Sequence, residues 1–356
     1  MRITSITPMK NEGPYILEWV AHNRMIGIND MMVFSNHCSD FTDLILERLD
    51  ELGLVRHMIN PSVRMTNPRH HIELVRYVNE LPRLRRSDWV THLDADEFVR
   101  VKVGNGRMED LFNALPDADA ISMSLHTFGC AGIDDILPGD GLMTETFRWR
   151  EDSHNRRAPV KYVARGEFPW LSFPNNSPEI RERDLDRVVW VNGAGTPIPK
   201  DKMSSPFKAL PAALTAFDLV EVAHYTIRSF QGFLLQKDRG NANPVKGVEP
   251  PEPDLKDTMR YWDRFNQNGV EDEISSCGNP DLADAVAELL KDDELADLHE
   301  ASIEWHRNRA QELLENKTYA QLYQMIRDRH AEVYPDVIGV DAEAAALPAA
   351  ANGDAH

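Results

Sequence analysis

Residues 88–98 read Asp-Trp-Val-Thr-His-Leu-Asp-Ala-Asp-Glu-Phe, a short apolar run that ends in three carboxylates. The apolar part suits a buried strand, and the acidic part then belongs at the strand's solvent-facing end. Asp94 and Asp96 are two residues apart, so in an extended chain their side chains leave on one face. Two carboxylates on one face repel unless a cation sits between them, and hard oxygen ligands suit Mg²⁺ or Mn²⁺. An ion held there receives a pyrophosphate, which is the chemistry of a nucleotide-sugar transferase. A solvated turn is the plainer reading in a chain with 58 Asp+Glu against 39 Lys+Arg, but surface turns seldom follow directly on Trp89-Val90-Thr91-His92-Leu93. A haloacid-dehalogenase phosphatase also carries Asp-x-Asp after a strand. There the motif lies on the first strand, whereas here at least two strand-like runs precede it.

The elements that must position these residues alternate. Strand-like runs at Arg2–Thr7, Met31–Phe34, Val55–Ile59 and Trp89–Leu93 are separated by helical stripes at Tyr15–Ile26, Leu44–Leu52 and His70–Leu81. Strand-helix repetition at this spacing predicts an α/β fold with a mostly parallel, Rossmann-like sheet and right-handed crossovers. Ligands in such sheets bind at the carboxyl ends of the strands. That rule gathers Lys10-Asn11-Glu12, Asn36 through Asp40 and Asp94-Ala95-Asp96 at one crevice.

Farther along, Ala120–Leu125 reads as a fifth strand, followed by Gly129 and Gly132, which let backbone pass close to a ligand. Runs at 147–150, 160–165 and 188–191 read as antiparallel strands of an acceptor subsite. The loop 166–180 brings Pro169, Trp170, Phe173 and Pro174 near it. Leu219–Tyr225 is a strand with a polar end at His224, and Phe230–Arg239 is a helix presenting Lys237 and Arg239 near Arg228. The domain reading is a catalytic unit over 1–240, divided near residue 100 into nucleotide-binding and acceptor halves. A helical C-terminal extension over 241–337 and a disordered tail over 338–356 follow.

Composition fits a globular enzyme: 356 residues, 42% hydrophobic, and no stretch approaching the roughly 20 apolar residues of a membrane span. The reading is no integral membrane segment, with room for peripheral membrane association. A net charge of −19 argues against nucleic acid as a partner. Cys38, Cys130 and Cys277 are odd in number and widely spaced, and the first residues lack a signal-peptide core, so the expected location is the cytoplasm.

Met9-Lys10-Asn11-Glu12 followed by Glu18-Trp19, His22, Gly27-Ile28, Asn36-x-x-Ser39-Asp40-x-Thr42 and Leu93-Asp94-Ala95-Asp96-Glu97-Phe98 resembles the GT-A glycosyltransferases, in particular the family-2-like and family-92 (galactosyltransferase-like) group. Phe128-Gly129-x-x-Gly132, Thr144-Glu145-x-Phe147, Lys161-Tyr162-Val163 and His224-Tyr225-x-x-Arg228-Ser229 resemble that group's later motifs, with His126 standing where a tryptophan is expected. The resemblance implies a GT-A fold and a nucleoside-diphosphate sugar donor, read as a UDP-sugar. It also implies Mn²⁺ or Mg²⁺ on Asp94 and Asp96, with His224 as third ligand, and transfer to a glycan, lipid-linked or other hydroxyl acceptor with inversion.

On this reading Lys10, Asn11, Glu12 and Asp40 hold the nucleoside, and Arg228, Lys237 and Arg239 neutralise the leaving diphosphate. Glu145 is the expected general base, with Asp134 and Asp135 as alternatives. Two rival classes stand beside it: a metal-dependent phosphohydrolase using the same carboxylates, and a non-catalytic nucleotide- or carbohydrate-binding protein.

Overall fold

The structure is a computed structural model that describes residues 1–65, 70–137, 141–152, 156–240, 252–337 and 339. The first half alternates as the sequence predicts. Strand β1 (Ile3–Met9) leads through a short turn into α1 (Ile16–Met25), then β2 (Asp30–Ser35), α2 (Thr42–Glu51) and β3 (Arg56–Ile59). Helices α3 (His70–Asn79) and α4 (Pro82–Arg85) follow, then β4 (Trp89–His92). Strand β1 pairs in parallel with β2 and β4, and β2 with β3.

The second half is mixed. The chain turns at Asp94–Asp96 into β5 (Glu97–Val101), then α5 (Met108–Ala114), β6 (Ala120–Thr127), the one-turn α6 (Met143–Thr146), β7 (Trp149–Arg150) and β8 (Ala158–Arg165). Next come β9 (Trp190–Asn192), α7 (Lys200–Met203), β10 (Ala209–Leu210), β11 (Val220–His224) and α8 (Phe230–Asp238). Among the described residues ten strands form one sheet, ordered β3-β2-β1-β4-β8-β6-β11-β5, with β10 on β8 and β9 on β6. Strand β8 runs antiparallel between β4 and β6, while β11 is parallel to β6 and antiparallel to β5. This curled mixed α/β sheet flanked by helices is the expected GT-A architecture.

Both faces of the sheet are covered, which is why its strands read as unbroken apolar runs. Alternation along β2 separates the two cores: Met31 and Val33 face the side of α1 and α2, while Met32 and Phe34 face the side of α3. Strand β5 was not expected as an element. It is held by Arg100, whose buried guanidinium meets Asp272 at 2.6 Å and also Glu221 on β11. The aromatic residues of loop 166–180 are core rather than a sugar platform: Trp170 is buried edge-on against Trp190 at 5.6 Å between ring centres. Gly129 and Gly132 give room not to a ligand but to the Asn268 amide and the Val337 carbonyl.

Beyond the sheet lie α9 (Leu255–Phe265), β12 (Val270–Glu271), α10 (Leu282–Leu289), α11 (Asp293–Glu315) and α12 (Lys317–Val333). Helix α11 packs on α2, α8 and the turn Gly13–Tyr15, so the C-terminal helices close over the catalytic half. The tail expected over 338–356 lies, Gly339 apart, outside the described residues.

Candidate functional site

The carboxyl ends of β1, β2, β3, β4 and β11 open into one cleft of about 590 Å³. That is the size range of sites that take a small organic ligand. Lys10, Glu12, Asn36, Asn60, His70, His71, Asp94, Asp96, Asn175, His224, Lys237 and Arg239 all contribute to its walls. Residues drawn from position 10 to position 239 therefore meet in one space.

Asp94 and Asp96 stand on the tight turn between β4 and β5, closed by the Glu97 N–H donating to the Asp94 carbonyl at 3.2 Å. Across from them, His224 ends β11 with Nε2 3.5 Å from Asp96 Oδ2 and 2.6 Å from the Thr226 hydroxyl. Burial alone would raise the Asp96 carboxyl; the imidazole of His224 and the guanidiniums of Arg228 and Arg239 hold it well below the usual carboxylate range. Burial would lower the His224 imidazole, and Asp96 outweighs it and raises it.

Asp94 is fixed differently. Its Oδ2 accepts from the buried ammonium of Lys161 on β8 at 2.8 Å and from the Asn175 amide at 3.3 Å. Burial would raise its carboxyl, but Lys161 lowers it. Asp94 keeps 34% of its side-chain surface exposed.

The donor set, two carboxylates and one imidazole on a single cleft, fits a hard divalent cation in chemistry. As the side chains stand, no three such groups among the described residues are gathered closely enough to hold an ion. Asp96 and His224 are adjacent, while one oxygen of Asp94 is engaged by Lys161 and Asn175.

The basic wall comes together as expected. Lys10 donates to the Arg239 carbonyl at 2.7 Å, and Arg239 Nη1 donates to the Lys10 carbonyl at 2.7 Å. Lys237 lies over the Tyr261 ring at 3.5 Å, and burial with Arg239 beside it pushes its ammonium down to about 8. Arg228, in the left-handed backbone region at φ 58°, lies 3.8 Å over the Tyr15 ring. Its Nε and Nη2 have no hydrogen-bond partner among the described residues. It lines a small cavity of about 30 Å³ that adjoins Asp96. Burial pushes the imidazoles of His70 and His71, also on the cleft wall, down.

Other expected site residues serve the scaffold. Glu12 is buried in ion pairs with Arg228, at 2.9 Å, and with Arg239, so it orients cations rather than a nucleoside. Asn11, at φ 52°, is clasped to Ser39 and lies on the neighbouring groove with Arg239 and Trp305. Asp40 has no exposed surface. Its oxygens accept from the Gly13 and Thr42 N–H groups, and Oδ2 lies 2.7 Å from His306 Nε2 on α11, so it cannot reach a nucleoside.

The three base candidates lie outside the cleft walls. Glu145 is exposed on α6, which is pinned by Glu18 of α1 accepting from the Met143 and Thr144 N–H groups. Asp134 accepts from Tyr323 at 2.8 Å and Asp135 pairs with Arg307 at 3.0 Å, tying the glycine loop to α12 and α11. Lys161, Asn175, His70 and His71 were missed as site residues. Only Lys161 carried a signal, a lone cation inside Ala158-Pro159-Val160-Lys161-Tyr162-Val163 that must meet buried anions.

Residues 3–177 match the family model described as Glycosyltransferase family 92. A family 92 glycosyltransferase protein of Ricinus communis is 24% identical over 142 residues, which is 38% of this chain and 24% of that protein. The chain thus spans about a quarter of the length of that curated relative. Among solved structures, S. aureus TarS 1–349 in complex with UDP is 11% identical with a TM-score of 0.30, over 92% of both chains. The mannosyltransferase Ktr4p from S. cerevisiae is 11% identical with a TM-score of 0.24, over 37% of this chain and 41% of that one. Likenesses this slight carry no weight beside the family match. That match contains Lys10, the Asp94–Asp96 turn and Lys161 and stops short of His224, Arg228, Lys237 and Arg239. Over residues 3–177 the chain is thus similar to glycosyltransferase family 92.

Proposed function

We propose that this chain is a glycosyltransferase of family 92 that transfers a sugar from a nucleoside-diphosphate donor, in the first instance a UDP-sugar, to a hydroxyl group of a glycan, lipid-linked or other acceptor, with inversion. The observation that carries the reading is the meeting, in one cleft, of Asp94, Asp96 and His224 with Lys10, Lys237 and Arg239. In the reaction the acceptor oxygen forms a bond to the anomeric carbon while the bond from that carbon to the phosphate oxygen breaks. The leaving nucleoside diphosphate keeps the electron pair, and the hydroxyl proton goes to a base. Lys10, Lys237 and Arg239 place positive charge where the diphosphate gains negative charge, and the spare donors of Arg228 add to it. Asp94, Asp96 and His224 are the residues that would hold Mn²⁺ or Mg²⁺; such an ion supplies Lewis-acid stabilisation of the departing phosphate. Asn36, Asn60, His70, His71 and Asn175 offer uncharged hydrogen-bonding partners to the nucleoside or sugar.

Among the described residues no helix is long and apolar enough to cross a membrane. The test is calorimetric titration with UDP, GDP and ADP, each with and without Mn²⁺, followed by nucleotide release from UDP-sugars with candidate acceptors. Binding of a nucleoside diphosphate together with acceptor-dependent release supports the reading. Phosphate release from simple esters without any acceptor would replace it with the phosphohydrolase.

A further inference from the structure

Lys161 is 1% exposed in its side chain, in a strand whose neighbours are apolar. Its Nζ lies 2.8 Å from Asp94 Oδ2 and 2.8 Å from Glu97 Oε2, and it also donates to the side-chain amide oxygen of Asn175. Glu97, 2% exposed, accepts the Asp94 N–H on the same Oε2 at 2.8 Å. One ammonium and one carboxylate therefore hold both the backbone and the side chain of Asp94. Desolvating a lysine this fully is costly unless every N–H finds an acceptor, and here the acceptors include the first acidic residue of the cleft. Lys161 and Asn175 engage Oδ2 of Asp94, a residue that lines the cleft with 34% of its side chain exposed.

We propose that Lys161 is the positioning residue of the site. It fixes Asp94 so that one carboxylate oxygen belongs to the protein and one is presented to the ligand. The inference rests on the nucleotide-binding reading above. A purely structural role is the rival, in which Lys161 only compensates the buried charge of Glu97. The two part company in a double variant. Lys161→Met alone leaves Glu97 buried without its cation, so it should melt well below the wild type under either account. Lys161→Met combined with Glu97→Gln removes both charges. The amide oxygen of the introduced glutamine can still accept the Asp94 N–H, so melting temperature should recover.

The readout that separates the accounts is affinity for UDP in the presence of Mn²⁺, by calorimetry. If Lys161 positions Asp94, the double variant binds at least tenfold more weakly than the wild type despite its restored melting temperature, and Lys161→Arg regains part of the loss. Double-variant affinity within twofold of the wild type would overturn the positioning role while leaving the nucleotide reading intact. A wild type that binds none of UDP, GDP or ADP with Mn²⁺ would instead overturn the nucleotide reading, and this inference with it.

Discussion

At the residue scale, the cleft divides its charged groups into those committed to the scaffold and those left for a ligand. Asp96 belongs to the second kind: its partner His224 is 3.5 Å away and both line the cleft. Asp96→Asn removes a charged ligand without changing core volume. The expected outcome is loss of Mn²⁺-dependent UDP binding by at least tenfold, with a cooperative thermal transition retained in EDTA at a lower temperature because the carboxylate also pairs with His224, measured by calorimetry and thermal melting. Lys237 gives a pH dependence. Its ammonium, pushed down to about 8, is mostly charged at pH 7 and mostly neutral at pH 9, so its attraction for a diphosphate is present below about pH 8 and fades above it. UDP affinity should fall several-fold from pH 7 to pH 9 in the wild type, and Lys237→Met, weaker at pH 7, should be nearly flat over the same range. The position of Asp94 and Asp96 was legible because an apolar strand precedes them, but the two stand on a tight turn rather than on one face of an extended chain. Asp40 was not legible, since the partner that claims it, His306, lies 266 residues later and nothing local announces it.

At the scale of elements, the strand-helix alternation of the first hundred residues was readable because each strand has both faces covered and each helix carries its own apolar stripe. Beyond residue 100 local pattern loses its authority. Strand β5 follows the acidic turn without a punctuating residue, and its pairing with β11 joins segments more than a hundred residues apart. The acidic residues Asp134, Asp135 and Glu145 sat beside family-like motifs, yet Asp134 and Asp135 contact α12 and α11, and Glu145 stands on α6, which Glu18 of α1 pins, none of which sequence proximity to a motif reveals. The link from α11 to the loop after β2 is the testable case. His306→Ala removes the imidazole hydrogen-bonded to the buried Asp40, and leaving a buried polar group without one of its partners costs roughly 1–3 kcal/mol. Urea unfolding should register a loss in that range. UDP affinity per folded molecule should change little, because Asp40 does not line the cleft.

At the scale of the whole molecule, the C-terminal helices are part of the catalytic body rather than an appendage to it. Leu295, Leu313, Leu322 and Ile326 are buried in the same core as β1, β2 and α1. A chain ending at Leu290 should therefore lose its cooperative thermal transition, which differential scanning calorimetry would show; a sharp transition near the wild-type temperature would mean that the first 290 residues fold alone. The reciprocal hydrogen bonds between Lys10 and Arg239 carry a further consequence, one that belongs to protein synthesis. The first wall of the cleft leaves the ribosome early, but its counterpart follows 229 residues later, and the α11 clasp on Asp40 later still. At about 5–20 residues per second, the 143 residues from Asp96 to Arg239 take on the order of 7–29 s, during which the acidic turn has been made and Arg239 has not. A ligand that needs both walls of the cleft can therefore stabilise only the finished protein.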